Sequence, residues 1–430
     1  MHTLGEKIRI YALTFFLAFY TATSSASISL QQIFYALALL AWLVSFFLLR
    51  KSGAALPAFK WRTYYWLPVL WVVWRLFHVA ISEFPIKELI QAREVWLILM
   101  LPLTADIMAA LRVMPQDKKP IQLFGLSPLY IVLIFLVISG ALIGLFNAIE
   151  VVKSGGFENF RAAGLNNNNA LTYSGTSALT WMLALGFLLT VRKWQARPRF
   201  LLPLLWACFI LMALAFILAK SRGGFIALIL MGGFMSLVIL RKKAILAWGA
   251  ILVLSLGAWF GSSNLRNLFY AAIPKEGSHT GTFEQRLDMW RAGVKMIQAK
   301  PIVGFGDAGY EAHYHEYKVE GAVNVAAAAS HLHNDFLNTW ALYGAVGFTL
   351  FLLFFLWPLY DFVQIDTQVR SHPYWPLMAA ALAGVWFMFF NGLSQCHFTD
   401  EEVQTLLWFT IGVFYGTRDQ ILMSSLQKPT

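Results

Sequence analysis

The sequence predicts an all-α polytopic integral membrane protein of about twelve transmembrane helices, with both termini in the cytoplasm. Three observations predict it. The 430 residues are 59% hydrophobic and only 13% charged, a composition that suits a bilayer rather than water. Apolar runs of roughly the 17–25 residues needed to cross a bilayer recur along the whole chain. Lys and Arg then cluster after every second run. The runs fall near 8–25, 31–49, 64–81, 95–113, 127–147, 170–191, 200–219, 223–240, 244–261, 336–358, 374–393 and 402–417. Their lengths and unbroken apolar character argue for helices.

Orientation follows from the cations. One set of loops holds Lys7 and Arg9, then Arg50, Lys51, Lys60 and Arg62, then Arg112, Lys118 and Lys119. The same set continues with Arg192, Lys193, Arg197 and Arg199, then Arg241, Lys242 and Lys243, then Arg370, Arg418 and Lys428. The positive-inside rule assigns these loops to the cytoplasm, which also accounts for the net charge of +11 without a nucleic-acid partner. The opposite face is the periplasm if this is a bacterial inner membrane. It receives 82–88, 148–169, the Lys220–Gly224 turn, 262–335 and 394–402. Three divisions result: helices one to nine over 1–261, a long periplasmic segment over 262–335, and helices ten to twelve with a short cytoplasmic tail over 336–430. Lys7 and Arg9 before an apolar run weakly suggest a signal peptide, but a retained first helix is expected. Cys208 and Cys396 are too few for a disulfide scaffold and no bridge is expected. No P-loop or paired-cysteine metal motif is present.

The 262–335 segment is too long for a bare connection. Within it, Leu287, Trp290, Val294 and Ile297 recur at helical spacing, with Arg291 and Lys295 on another face. That pattern predicts an amphipathic helix over 284–299 lying on the membrane surface. Pro301, Gly304 and Gly306 then break it.

The periplasmic face carries Arg161, Arg222, Arg266, Arg286 and Arg291, cations that the charge rule does not expect there. Arg222 opens the eighth helix, next to Lys220. Free N–H groups at a helix start attract anions, and Gly223 and Gly224 would let a ligand approach the backbone. Arg222 can equally be a lipid-phosphate anchor. Asn166 to Asn169 read as a helix cap and turn formers, or as binders of sugar hydroxyls. Arg75 and His78 lie inside the third run, as functional groups or as a packed polar pair. Lys87, Glu88, Arg93 and Glu94 read as surface pairs. Glu311 to Glu316, "EAHYHE", supplies no closed ligand set, so no metal is expected. Gly140 and Gly144 fit either internal packing or dimerisation.

The densest chemistry is "SHLHNDFLNTW", residues 330–340. Asn334 or Asp335 would cap the tenth helix. A neutral imidazole there can act as a general base. The helix start would lower its pKa, and Asp335 would oppose that shift.

The spacing His333-Asn334, nine residues, Gly344, two residues, Gly347 resembles a signature of the bacterial O-antigen ligase family, within the superfamily of O-antigen ligases and polymerases. "RAAGLNNNNA", "SRGGFIAL", "QRLDMWRAG" and "PIVGFGDAGY" resemble that superfamily's other segments, in order, from about residue 160 to 347. The family's Arg-x-x-x-Leu pattern fits Arg161 to Leu165, whereas Arg222 is followed by Ile226 and Arg286 by Trp290. The resemblance implies a GT-C-like membrane glycosyltransferase. It would move O-antigen from undecaprenyl pyrophosphate to lipid A–core at the periplasmic face, inverting the sugar carbon, without metal or cofactor. His333 would be the base, and Arg222, Arg161, Arg286 and Arg291 would bind the pyrophosphate. His331, Asn334, Asp335, Lys220 and Trp290 would support them, with Trp290 guiding lipids or covering the cleft. An O-antigen polymerase or a protein-glycosylating relative shares much of this pattern. The latter often has a sizeable C-terminal soluble region; the short stretch after the last apolar run here favours the expectation of a ligase. A transporter also fits twelve helices, but its site would sit near mid-membrane.

Overall fold

The computed structural model describes residues 4–24, 26–51, 62–109, 123, 126–156, 160–162, 170–193, 199–240, 244–261, 282–320, 322, 331–365 and 367–426. Arg266, Leu165, Asn166 to Asn169 and Ser330 lie outside the described residues. So do Lys60, Arg112, Lys118, Lys119, Arg197, Arg241, Lys242, Lys243 and Lys428.

Among the described residues, every apolar run falls mainly on helical structure. In chain order these are α1 (Leu4–Thr23), α2 (Ile28–Lys51), α3 (Trp66–Ile81), the short α4 (Pro85–Gln91), α5 (Met100–Ala109), α6 (Pro128–Lys153), α7 (Ala170–Arg192) and α8 (Leu201–Leu218). There follow α9 (Arg222–Leu240), α10 (Ala244–Gly261), α11 (Thr282–Ala299), α12 (Gly306–Tyr317), α13 (Asp335–Val363), α14 (Trp375–Asn391) and α15 (Glu401–Leu426). Among the described residues six stretches are long and apolar enough to cross a membrane: Ile28–Ser45, Thr63–Ile81, Pro128–Lys153, Ala170–Arg192, Leu201–Leu218 and Asp335–Val363. They mark the chain as an all-α integral membrane protein.

The centre of the bundle is α7 against α14 and α15. Small residues make that possible, because lipid offers no hydrophobic drive and helices associate by close packing. A methyl on Gly186 would stand 2.5 Å from the Cβ of Ala380. The Gly140 and Gly144 pair works the same way between α6 and α8, where a Cβ would meet Met212 at 2.7 Å and the Leu211 carbonyl at 2.3 Å. Internal packing therefore accounts for that motif.

The fourth run departs from a simple helix. Residues Ala92–Leu99 are 3-10, and only then does α5 begin. Pro102 explains the change: its ring would strike the carbonyl four residues back in a continuous α-helix. The Tyr35 hydroxyl donates to the Trp96 carbonyl at 2.6 Å within that stretch.

The two ends of the bundle differ. At one, Arg62 pairs with Asp419 at 2.8 Å, Arg418 with Asp361 at 3.2 Å, and Arg9 with Asp106. The starts of α9 and α13, the end of α14 and the start of α15 meet at the other. Helix α11 packs there against α13.

The tenth run is not one helix. Gly344 takes φ 63°, ψ −170° inside α13, a left-handed value that suits only glycine without strain. The 301–305 turn crosses at this break. Phe305 N–H donates to the Ala341 carbonyl at 3.0 Å, and Ala345 N–H to the Pro301 carbonyl at 2.9 Å. A Cβ on Gly344 would lie 2.1 Å from the Ile302 carbonyl oxygen. Gly347 is crowded by the Tyr343 Cβ and the Trp74 indole.

Helix α11 also differs from expectation. Its buried face is Met289, Ala292, Gly293 and Met296, while Val294 is exposed. The face packed on protein is thus shifted from the predicted stripe, because Gly293 lets Leu332 lie directly on the helix.

Candidate active site

Three separate elements deliver arginines to one end of the bundle. Arg161 precedes α7 and is anchored twice on the end of α8. Its Nε donates to the Ala219 carbonyl at 3.0 Å, and Ala162 N–H donates to the Leu218 carbonyl at 2.9 Å. Arg222 is the first residue of α9 and is exposed. Arg286, on α11, reaches over to the turn after α14, donating to the Ser394 carbonyl at 2.7 Å and to Gln395 Oε1 at 3.5 Å. Burial and the neighbouring Arg222 push Arg161 below its usual pKa. Burial, Arg161 and Arg222 push Arg286 down as well. Two guanidiniums lowered by burial and by neighbouring arginines form a site whose positive potential an anion would relieve.

Arg291 is not part of this group: it is exposed and pairs with Asp288 on its own helix at 3.2 Å. Lys220 is in a left-handed conformation, φ 49°, and sits between α8 and α9. Gly223 and Gly224 do not open the backbone to a ligand, as the sequence suggested. A Cβ on Gly223 would lie 1.9 Å from Ser394 Oγ, and the space over Gly224 is taken by Ser221 and Phe216. They allow the start of α9 to press against the 391–394 turn, which brings Arg222 toward Arg286.

His331 and His333 stand near Arg286, rings edge to face with centroids 4.4 Å apart. Trp290 holds the segment between them: its Nε1 donates to the carbonyl of Leu332 at 3.0 Å. His333 itself is left-handed, φ 50°. A non-glycine residue there costs about 1–3 kcal/mol and persists only where its surroundings hold it. Here the next N–H, that of Asn334, donates to Cys396 Sγ at 3.2 Å.

Asn334 is the cap of α13. Its Oδ1 accepts from the N–H groups of Phe336 and Leu337, both at 3.0 Å, and its Nδ2 donates to the Leu393 carbonyl at 3.0 Å. Asp335 is turned away from the imidazoles. It is buried, and its Oδ1 accepts from His397 N–H and Phe398 N–H at 3.0 Å. The expectation that Asp335 steadies the His333 charge is therefore corrected: it organises the 392–398 turn instead.

His333 is pushed down to about 4, chiefly by burial, then by His331 and Arg286. The opposing carboxylate is Asp400. Burial lowers His331 too, again opposed by Asp400. Both rings are neutral at pH 7, each with a lone pair beside a cationic cleft.

The 394–402 loop was read only as a periplasmic connection, yet it supplies half the setting. His397 is buried, with Nε2 2.8 Å from Asn391 Nδ2 and Nδ1 3.7 Å from Asp400 Oδ2. The Thr172 hydroxyl donates to Asp400 at 2.9 Å. No local spacing signals this, because His397 lies 64 positions beyond His333 and meets it only through folding. Glu88, read as a surface pair, is fully buried. Its carboxylate accepts from the first N–H groups of α12, those of Asp307 and Ala308, at 3.2 and 2.9 Å. A side chain at Gly306 would collide with that carboxylate, 2.8 Å away. Lys87 and Arg93 do make surface pairs, with Glu311 at 3.0 Å and Glu401 at 3.2 Å. Arg75 is a packed polar group, paired with Asp307 and bonded to the Tyr343 hydroxyl. Of the "EAHYHE" stretch, His313 is engaged by Glu316 at 2.7 Å and Glu83 at 3.3 Å.

Residues 207–352 match the Wzy_C family, described as O-antigen ligase. The matched stretch contains Arg222, Arg286, His331 and His333, together with the Gly304–Gly344 crossing. It leaves out Arg161, His397 and Asp400. A second similarity is to an uncharacterised protein of Haemophilus influenzae, 28% identical over 159 residues. That alignment takes in 34% of this chain and 40% of the relative's length. The O-antigen ligase similarity thus falls on the part of the chain that carries the histidines and two of the three converging arginines.

Proposed function

We propose that this protein transfers O-antigen from undecaprenyl pyrophosphate to lipid A–core at the periplasmic face of a bacterial inner membrane. The observation that carries the reading is the juxtaposition of neutral His333 with the Arg161, Arg222 and Arg286 cleft, inside a stretch matching the O-antigen ligase family. Twelve spans with both termini cytoplasmic are part of the proposal. The clustering of Arg9, Arg62 and Arg418 at the far end of the bundle supports that orientation.

In this mechanism the three arginines bind the donor pyrophosphate and stabilise charge as the bond between the sugar carbon and the phosphate oxygen breaks. The acceptor hydroxyl attacks that carbon from the opposite face, inverting it. Its proton passes to His333, and the bond electrons leave on the lipid pyrophosphate. Bound pyrophosphate cancels the depressing influence of Arg286, so the base strengthens only when the donor is in place. Arg291, on the exposed side of α11, has at most a peripheral role.

The test is reconstitution of purified protein with a lipid-pyrophosphate-linked glycan and either lipid A–core or a second carrier-linked glycan. Transfer to lipid A–core, lost about 10²–10⁴-fold in His333→Ala, is the expected result. Elongation on the second carrier instead would make the protein a polymerase. Normal transfer by His333→Ala would remove the base assignment.

A further inference from the structure

A cavity of about 390 Å³ lies on another face of the 300–305 turn, lined by His78, Ile81, Ser82, Glu83, the turn itself and Gly309. Its size is in the range that holds a small ligand. His78 is 2% exposed. Its ring is fixed edge-on against Trp74 and Tyr343, with centroids 5.3 and 5.7 Å away. The Val303 backbone engages one ring nitrogen, while Nε2 has no hydrogen-bond partner among the described residues. A buried polar atom without a partner calls for one. With the other nitrogen donating to a carbonyl, Nε2 presents a lone pair and needs a donor.

The rim specifies the rest. Glu83 and Lys300 are both substantially exposed and only loosely paired, at 3.6 Å. Glu83 supplies further acceptor capacity, its Oε2 already 3.3 Å from His313 Nε2, and Lys300 supplies a cation, held 4.6 Å from the Phe305 ring centroid. Ile81 and Ile302, 49% and 65% exposed, form an apolar edge at the end of a membrane-spanning helix. Such an edge opens toward lipid rather than toward bulk water.

We infer that this cavity binds the headgroup of a phospholipid carrying an ammonium next to its phosphate, as phosphatidylethanolamine does. The ammonium donates to His78 Nε2 and Glu83, the phosphate meets Lys300, and the acyl chains leave past Ile81 and Ile302. The site is separate from the arginine cleft, and the inference does not depend on the transfer reaction proposed above.

The experiment is native mass spectrometry and thermal unfolding of the detergent-purified full chain, titrated with phosphatidylethanolamine, phosphatidylglycerol or soluble phosphoethanolamine. One tightly held phosphatidylethanolamine is expected, with a rise in Tm by mass action, and at least about tenfold weaker phosphatidylglycerol binding. Lys300→Gln and His78→Phe should each weaken the site about tenfold or more. Gly309→Leu fills the cavity where the only atom near a new Cβ is Phe305 Cβ at 3.6 Å. It should fold and lose the bound lipid, so it reports even if His78→Phe does not fold. Equal binding of the two phospholipids, equal binding by soluble phosphoethanolamine, or an undiminished lipid in Gly309→Leu would each overturn the assignment.

Discussion

His333 combines three properties in one residue: a strained backbone, a ring kept neutral, and a place beside Arg286. Because the free protein holds it down at about 4, kcat/KM should lose activity only as pH falls through about 4. Donor binding raises the same pKa, so the acid limb of kcat should stand at distinctly higher pH. Coincident limbs in the two profiles would mean that the donor anion does not reach His333. Arg286→Lys keeps a charge but cannot hold Ser394 and Gln395 together. It should weaken donor binding and loosen the 394–402 loop, measurable as raised KM and increased hydrogen exchange there. Asn334→Ala removes a cap and should lower stability by about 0.5–2 kcal/mol in thermal unfolding. At this scale His333 was legible from its spacing to Gly344 and Gly347. His397 and Asp400 were not, since nothing in "SQCHFTDEE" distinguishes a buried site loop from a polar connection.

Among the elements, α13 shows how a membrane helix is broken to make a surface. Gly344 and Gly304 let the 301–305 turn hydrogen-bond into the gap, which sets the leading half of the helix, with Asn334 at its cap, under Trp290 and α11. Gly344→Ala would add a clash 2.1 Å from the Ile302 carbonyl at φ 63°. It should cost at least about 1–3 kcal/mol from backbone strain alone and displace His333, lowering transfer as well as Tm. Gly232→Ala is the contrasting case: no atom lies within 4 Å of its new Cβ, so it should be neutral or stabilise by up to about 1 kcal/mol. Similar losses in both variants would show that the effect is not the crossing. The amphipathic stretch was legible as a helix but not in its facing. Periodicity identifies a stripe, whereas Gly293, by admitting Leu332, decides which edge of the stripe is covered.

Across the whole molecule, a buried polar network ties helix α12 to the membrane-spanning helices α3 and α13. Arg75 on α3 pairs with Asp307, Tyr343 on α13 donates to Asp307 at 2.8 Å, and Glu88 caps α12. Breaking it on one side leaves a buried charge alone, so Arg75→Met should destabilise by about 3–5 kcal/mol, and Arg75→Met with Asp307→Asn should recover much of that. Thermal unfolding of the single and double variants measures it, and equal losses in both would argue against a coupled pair. The helices and their places in the chain were legible in the sequence by itself, because apolar length and unbroken runs are local properties that a bilayer enforces. So were the arginines in loops that the charge rule does not expect to carry them, and the His333-Gly344-Gly347 spacing. The tertiary structure alone decided that Arg161, Arg222 and Arg286 converge while Arg291 turns away. It also decided that Asp335 serves the 392–398 turn, and that His397 and Asp400 join the site. These depend on which helix ends meet, and that is settled by close packing at glycines far apart in the chain, where a missing side chain sets the distance between two backbones.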